Sequence, residues 1–120
     1  MRIPTLRLAE SRAACGDPAF VYRFDWAAPG LGAAHAVDVP FTFGTFDREG
    51  WAAVVGHDEA ADRLSTRLRN AWAALAATGN PSQDGLSWPT YDKTRRAVMV
   101  FDREVRVIDD PDAAIRRCYA

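Results

Sequence analysis

Lysine occurs once in this 120-residue chain, as Lys93, and cysteine twice, as Cys15 and Cys118. No apolar run approaches the length that crosses a bilayer. Charge of one sign is also missing: 15 basic side chains face 16 acidic ones, for a formal net charge of -1. A phosphate-tracking surface needs clustered cations to displace counterions, so a nucleic-acid partner is not expected, and neither is a membrane. Two cysteines without Cys-x-x-Cys spacing cannot hold zinc by themselves. Free thiols in a cytoplasmic protein are the favoured reading, ahead of a Cys15–Cys118 disulfide. The N-terminal Met-Arg-Ile-Pro-Thr-Leu-Arg-Leu lacks the charged-then-apolar build of a secretion signal. There is no glycine-rich phosphate loop and no His-Glu-x-x-His pair, so no cofactor or metal is expected. No Gly-x-Ser-x-Gly occurs either. Ser11 and Ser65 fall on expected helices, Ser82 and Ser87 in an expected loop, and none has the flanking glycines of a nucleophile turn.

What is present is a folding sequence. Hydrophobic residues make up 48% of the chain, enough for one small domain over residues 1–120 and too many for a disordered tail. Pro4 suits a first helical turn, Thr5 to Ala14 are good helix formers, and Gly16-Asp17-Pro18 ends the run. Phe20, Tyr22, Phe24 and Trp26 alternate with Val21, Arg23 and Asp25, the period of a strand. Ala27 to Ala34 reads as a loop, with His35 at its end and a short helical turn near Pro40. Asp58 is a plausible N-cap for a helix to Thr78, with Glu59 and Asp62 early, Leu64, Leu68, Trp72 and Leu75 on one face, and Gly79 as the exit. Ala97 to Phe101 and Val105 to Ile108 read as a hairpin, and Asp112 to Tyr119 as a last helix. These elements predict an α+β module: a small, mainly antiparallel three-stranded sheet with packed helices.

Two residues could bear chemistry. His35 follows a loop that itself follows a strand, a place where open sheets present functional groups, and imidazole exchanges protons near neutrality. Asp38, three residues on, suits local bracing of that loop better than catalysis. His57 reads as a surface residue near a helix start. Trp72, Trp88, Tyr91 and Phe101 read as packing residues.

The stretch Gly32-Ala-Ala-His35-Ala-Val-Asp38-Val-Pro40-Phe41-Thr-Phe43-Gly44 resembles the catalytic-histidine segment of the type-B carboxylesterases, which include cholinesterases and bacterial p-nitrobenzyl esterases. Ile3 to Glu10, Val21 to Phe24, Trp72 to Pro81, Trp88 to Asp92 and Met99 to Asp102 resemble further segments of that family, in the same order. The resemblance implies an α/β fold, with this chain as the C-terminal part of an α/β-hydrolase. It implies that His35 is the general base of a Ser–His–acid triad that hydrolyses a small carboxylic ester. It also implies that the serine, the acid and the oxyanion donors come from upstream of this chain. Two functional readings follow. In one, His35 serves an esterase completed by an upstream fragment. In the other, the chain is a non-catalytic folded module that only associates. Either way an uncovered strand edge predicts a homo-oligomer or a partner fragment, with Phe20, Tyr22 and Phe24 at the contact.

Overall fold

A computed structural model describes residues 2–48 and 50–119. The elements run α1 (Arg2–Ala14), β1 (Tyr22–Phe24), α2 (Val39–Phe43), α3 (Trp51–Val55), α4 (Glu59–Thr78), β2 (Ala97–Phe101), β3 (Arg106–Asp109) and α5 (Ala113–Arg117). The sheet has three strands in the order β1-β2-β3. β2 and β3 pair antiparallel, Val98 opposite Ile108, as the hairpin reading requires. β1 lies parallel to β2, with Tyr22 opposite Met99 and Phe24 opposite Phe101, so the sheet is mixed. The direction follows from the connection. A long crossover containing α4 joins β1 to β2, and a crossover permits parallel pairing where a tight turn does not.

All five residues of β2 are buried, which explains why Ala-Val-Met-Val-Phe reads as a continuous apolar run instead of alternating. Both of its faces are covered. On one side Met99 and Phe101 join Trp26, Val37, Phe41, Leu64, Leu68 and Ala71 in the main core. On the other, Val98 joins Val21, Tyr91, Leu6 and Ala9, where α1 packs. Ion pairs strap α1 down: Arg96 on β2's approach holds Glu10, and Arg2 reaches Asp112 at 2.9 Å.

Asp58 caps α4 as its sequence suggests, accepting a hydrogen bond from Ala61 N at 2.9 Å, and Gly79 ends the helix in the left-handed region with φ 76. The buried face is Ala61, Leu64, Ser65, Leu68 and Ala71. Trp72 and Leu75, expected on that face, are half-buried, with Trp72 packed on the main core against Tyr22 and Trp88. Ser65 is the polar member. Its hydroxyl donates to Phe41 O at 2.7 Å and ties α4 to α2.

The helix cap also sets the acid response. The Ala61 amide and the Arg103 guanidinium hold the Asp58 carboxyl below its ordinary 3.8. The Arg95 and Thr94 amides lower Asp92, and Arg116 lowers Asp110. A carboxyl depressed in the fold contributes stability that is complete above its unfolded pKa and is lost as pH falls through the folded value. Stability should therefore fall below about pH 4, the ordinary carboxyl range. Asp58→Asn keeps a capping acceptor but has no charge to titrate. Urea titrations between pH 2 and 5 should show a shallower loss of stability for this variant than for the parent chain. Equal slopes would remove Asp58 from the acid response.

Candidate functional site

His35 lies in the loop that leaves the C-terminal end of β1. β1 itself is shorter than the Phe20–Trp26 run that its alternation suggests. Only Tyr22–Phe24 pair as strand, with Val21 O and Asp25 N making the last bonds to β2 on either side. Phe20 packs edge-on against Trp88, and Trp26 Nε1 donates to Val55 O at 2.7 Å, both away from the ladder.

The loop is built by short-range bonds. Ala28 N donates to Gly32 O at 3.0 Å, and Gly32 N returns a bond to Ala28 O at 2.8 Å. Pro29, at the tip of that small closed turn, rests on Gly56, just after α3. A Cβ added to Gly56 would sit 2.9 Å from Pro29 Cγ, and Gly56 has φ +68. Both facts demand glycine there. Gly56→Ala should destabilise the fold by about 1–3 kcal/mol, the usual cost of overpacking, and push the Pro29 turn outward. Urea denaturation reads the first effect and Ala28 to Gly32 amide shifts the second. An alanine variant matching the parent in both would show that Pro29 does not lean on Gly56.

Past that turn, His35 is exposed and Val37 is buried at 2%. Among the described residues the His35 imidazole makes no hydrogen bond, so both ring nitrogens are open to a partner. Val37 is followed by Asp38 at the N-terminus of α2. The Asp38 backbone carbonyl accepts from Thr42 N at 2.9 Å, but its carboxylate makes no capping bond. That carboxylate acts at a distance. Burial among aromatic rings pushes the Tyr22 phenol above its ordinary value, and the Asp38 charge adds to the rise. Tyr22 stands edge-on to Trp72 at 5.2 Å and to Phe101 at 6.0 Å, so β1, α4 and the histidine loop meet around it. Sequence reasoning missed two features, the nearness of the Asp38 charge to the Tyr22 phenol and the Pro29–Gly56 contact. Only the second had a signal, a glycine directly after an apolar run.

The other candidates are placed elsewhere. His57 precedes α4, where its Nε2 lies 2.7 Å from Asp62 Oδ1 and its ring stacks on Phe46 at 4.3 Å. It takes no part in the His35 loop. Three serine hydroxyls are engaged by backbone: Ser11 donates to Arg7 O, Ser65 to Phe41 O, and Ser82 accepts from Trp88 N. Cys15 and Cys118 are exposed and unpaired. Among the described residues no group of His, Cys, Asp and Glu could hold a metal ion, and no helix is long and apolar enough to cross a membrane.

The fold therefore carries His35 on a loop at the C-terminal end of a parallel strand, and comparison with known proteins identifies the family. The sequence profile of the carboxylesterase family matches residues 1–116. The chain belongs to the carboxylesterase family. It is 34% identical to the para-nitrobenzyl esterase of Bacillus subtilis (strain 168) over 103 residues, covering 83% of this chain and 21% of that protein. It is 38% identical to the phenmedipham hydrolase of Pseudarthrobacter oxydans over 105 residues, covering 82% and 21%. Among solved structures, the carboxylesterase of Geobacillus stearothermophilus superposes with a TM-score of 0.84 at 35% identity, over 96% of this chain and 24% of that one. The fold is thus that of a segment of the α/β-hydrolase esterases. The chain spans about a fifth of the length of the curated carboxylesterase relatives it matches.

Proposed function

We propose that this chain supplies the general base of a carboxylic-ester hydrolase, with His35 as the histidine of a Ser–His–acid triad. The observation that carries the reading is that a carboxylesterase-family chain holds His35 exposed and, among the described residues, without a hydrogen bond, on a braced loop at the C-terminal end of a parallel strand. The substrate is a small-molecule ester. In the completed site a serine attacks the ester carbonyl, His35 takes the serine proton and passes it to the leaving alcohol, and water then frees the acyl group. Serine, acid and oxyanion donors come from a polypeptide equivalent to the part of the relatives that precedes this module. Asp38 is read as a residue beside the histidine loop and not as a member of the triad.

The strand edge supports association with such a partner. Met99 N donates to Val21 O and Asp25 N to Phe101 O, so the odd residues of β1 face β2. By alternation Tyr22 and Phe24 turn their backbone groups to the open side. Unpaired edges recruit strands, and Tyr22 is 39% exposed there. A parallel neighbour on this edge delivers its own C-terminal loop beside His35. A two-fold copy of this chain pairs β1 antiparallel and sends the two His35 loops to opposite ends. The partner fragment therefore fits the chemistry, whereas self-association fits the non-catalytic reading.

The deciding experiment assays a p-nitrophenyl ester with the chain alone and with an upstream carboxylesterase-family part, while light scattering follows the assembly. Turnover only in the mixture, with a one-to-one complex, is the expected result. A stable homodimer that is inactive in both assays would establish the non-catalytic module instead.

A further inference from the structure

Three described residues other than glycine have positive φ: Ala36 at 67, Arg96 at 53 and Asp110 at 45. An L-residue is strained in this region, and such strain persists only where the surroundings hold it. Arg96 and Asp110 are held by their own side chains, Arg96 on Glu10 and Asp110 by Arg116 at 2.5 Å. Ala36 has only a methyl group, so its neighbours must do the holding. On its C-terminal side Val37 is 2% exposed, within the main core. Ala36 O accepts from Val39 N at 3.1 Å, which ties it to the first turn of α2. On its N-terminal side Ala34 N donates to Gly32 O at 3.0 Å, and Val37 N points back at Ala34 O at 3.5 Å. His35 and Ala36 are therefore the two central residues of a turn whose second corner favours glycine or asparagine.

The turn has one evident consequence. In extended chain, residues two apart share a face, so burying Val37 would draw His35 toward the core as well. The left-handed step at Ala36 breaks that relation: Val37 goes in and His35 stays out. We propose that Ala36 and Val37 are the positioning residues for His35, with the left-handed turn at Ala36, locked by Val37, fixing the direction in which the imidazole leaves the loop. The inference rests on reading His35 as the general base. A base must stand within hydrogen-bond reach of its proton, and small misplacements are costly. Alanine suits this role better than glycine. Glycine would relieve the strain but open further backbone conformations, whereas asparagine tolerates the left-handed region and retains a Cβ.

The test compares Ala36→Gly, Ala36→Asn and Val37→Ala with the parent. In the isolated chain, ¹⁵N relaxation should show the Ala34 to Ala36 amides of Ala36→Gly falling from rigid order parameters to below about 0.6, with Ala36→Asn unchanged. The melting transition of Ala36→Gly should stay where it is. In the ester-hydrolysing complex, Ala36→Gly should lose about 10- to 100-fold in kcat with KM nearly unchanged, as expected for misplaced catalytic groups. Val37→Ala should behave alike, and Ala36→Asn should restore the rate. An Ala36→Gly chain as ordered and as active as the parent would overturn the proposal. If His35→Ala left the complex fully active, the triad reading would fall instead, and the order parameters would still decide whether the turn positions His35.

Discussion

Phe41→Ala is expected to bring the chain to the edge of unfolding at 25 °C. Phe41 is fully buried and sits where three parts of the fold converge. Its ring meets Phe24 of β1 at 5.1 Å, Trp26 at the start of the histidine loop at 5.1 Å, and Phe46 at 5.1 Å. Its carbonyl takes the Ser65 hydroxyl of α4. Truncating a buried phenylalanine costs about 3–5 kcal/mol in lost transfer energy and cavity formation. Small domains hold only about 5–15 kcal/mol in total, so this one substitution removes a large share. The aromatic partners are rigid and cannot collapse into the space, which places the cost at the upper end. Urea denaturation at neutral pH measures it. A loss under about 1 kcal/mol, below any value usual for such a truncation, would mean that α2 does not anchor the histidine loop to the sheet.

That convergence also shows which features the residues disclose and which they hide. The α4 boundaries were legible because each has a local chemical cause: Asp58 bonds the Ala61 amide, and Gly79 takes the left-handed exit. The β2–β3 hairpin was legible from two β-rich runs around Asp102-Arg103-Glu104. The direction of β1 was not. Alternation of Phe20, Tyr22, Phe24 and Trp26 reports a strand's faces, and faces are the same for parallel and antiparallel pairing. Nor was its length: the bonds to β2 end at Asp25 N, and the next residue, Trp26, commits its indole to the Val55 carbonyl, 29 positions away. α3 went unread because its five residues, Trp51–Val55, are too few to display a helical period.

The site divides the same way. His35 stands out in the sequence from its place after a glycine-bearing loop and from the family resemblance, and the fold puts it on the surface beyond a strand's C-terminal end. The devices that hold it were hidden. Val37 looks like any apolar residue near Pro40, and nothing in Ala-His-Ala-Val announces a left-handed alanine. Those facts depend on tertiary packing that fixes φ against local preference. The α4 face was partly misjudged for a related reason. Leu64 and Leu68 are buried as hydrophobicity suggests, whereas Trp72 and Leu75 are half-buried and the small Ala61, Ser65 and Ala71 complete the face, Ser65 through its bond to the Phe41 carbonyl of α2.

The largest functional effect is expected from His35→Ala in the ester-hydrolysing complex. Removing a general base costs up to about 10⁴-fold in rate, and the loss should appear in kcat. Stability should not change, because the imidazole is exposed and makes no hydrogen bond among the described residues. The isolated chain gives the complementary result. No serine of the chain has the flanking glycines of a nucleophile turn, and Ser11 and Ser65 are committed to backbone carbonyls, so p-nitrophenyl ester turnover should not exceed that of free imidazole, with or without His35. His57 supplies the internal control. It is the other histidine of the chain, paired with Asp62 and stacked on Phe46. His57→Ala should leave turnover of the complex within about twofold of the parent, as expected of a residue outside the reacting groups. Steady-state kinetics of the two variants beside their melting curves separate the possibilities. Loss of turnover in His57→Ala with full activity in His35→Ala would move the catalytic base to the start of α4 and remove the β1 loop from the mechanism.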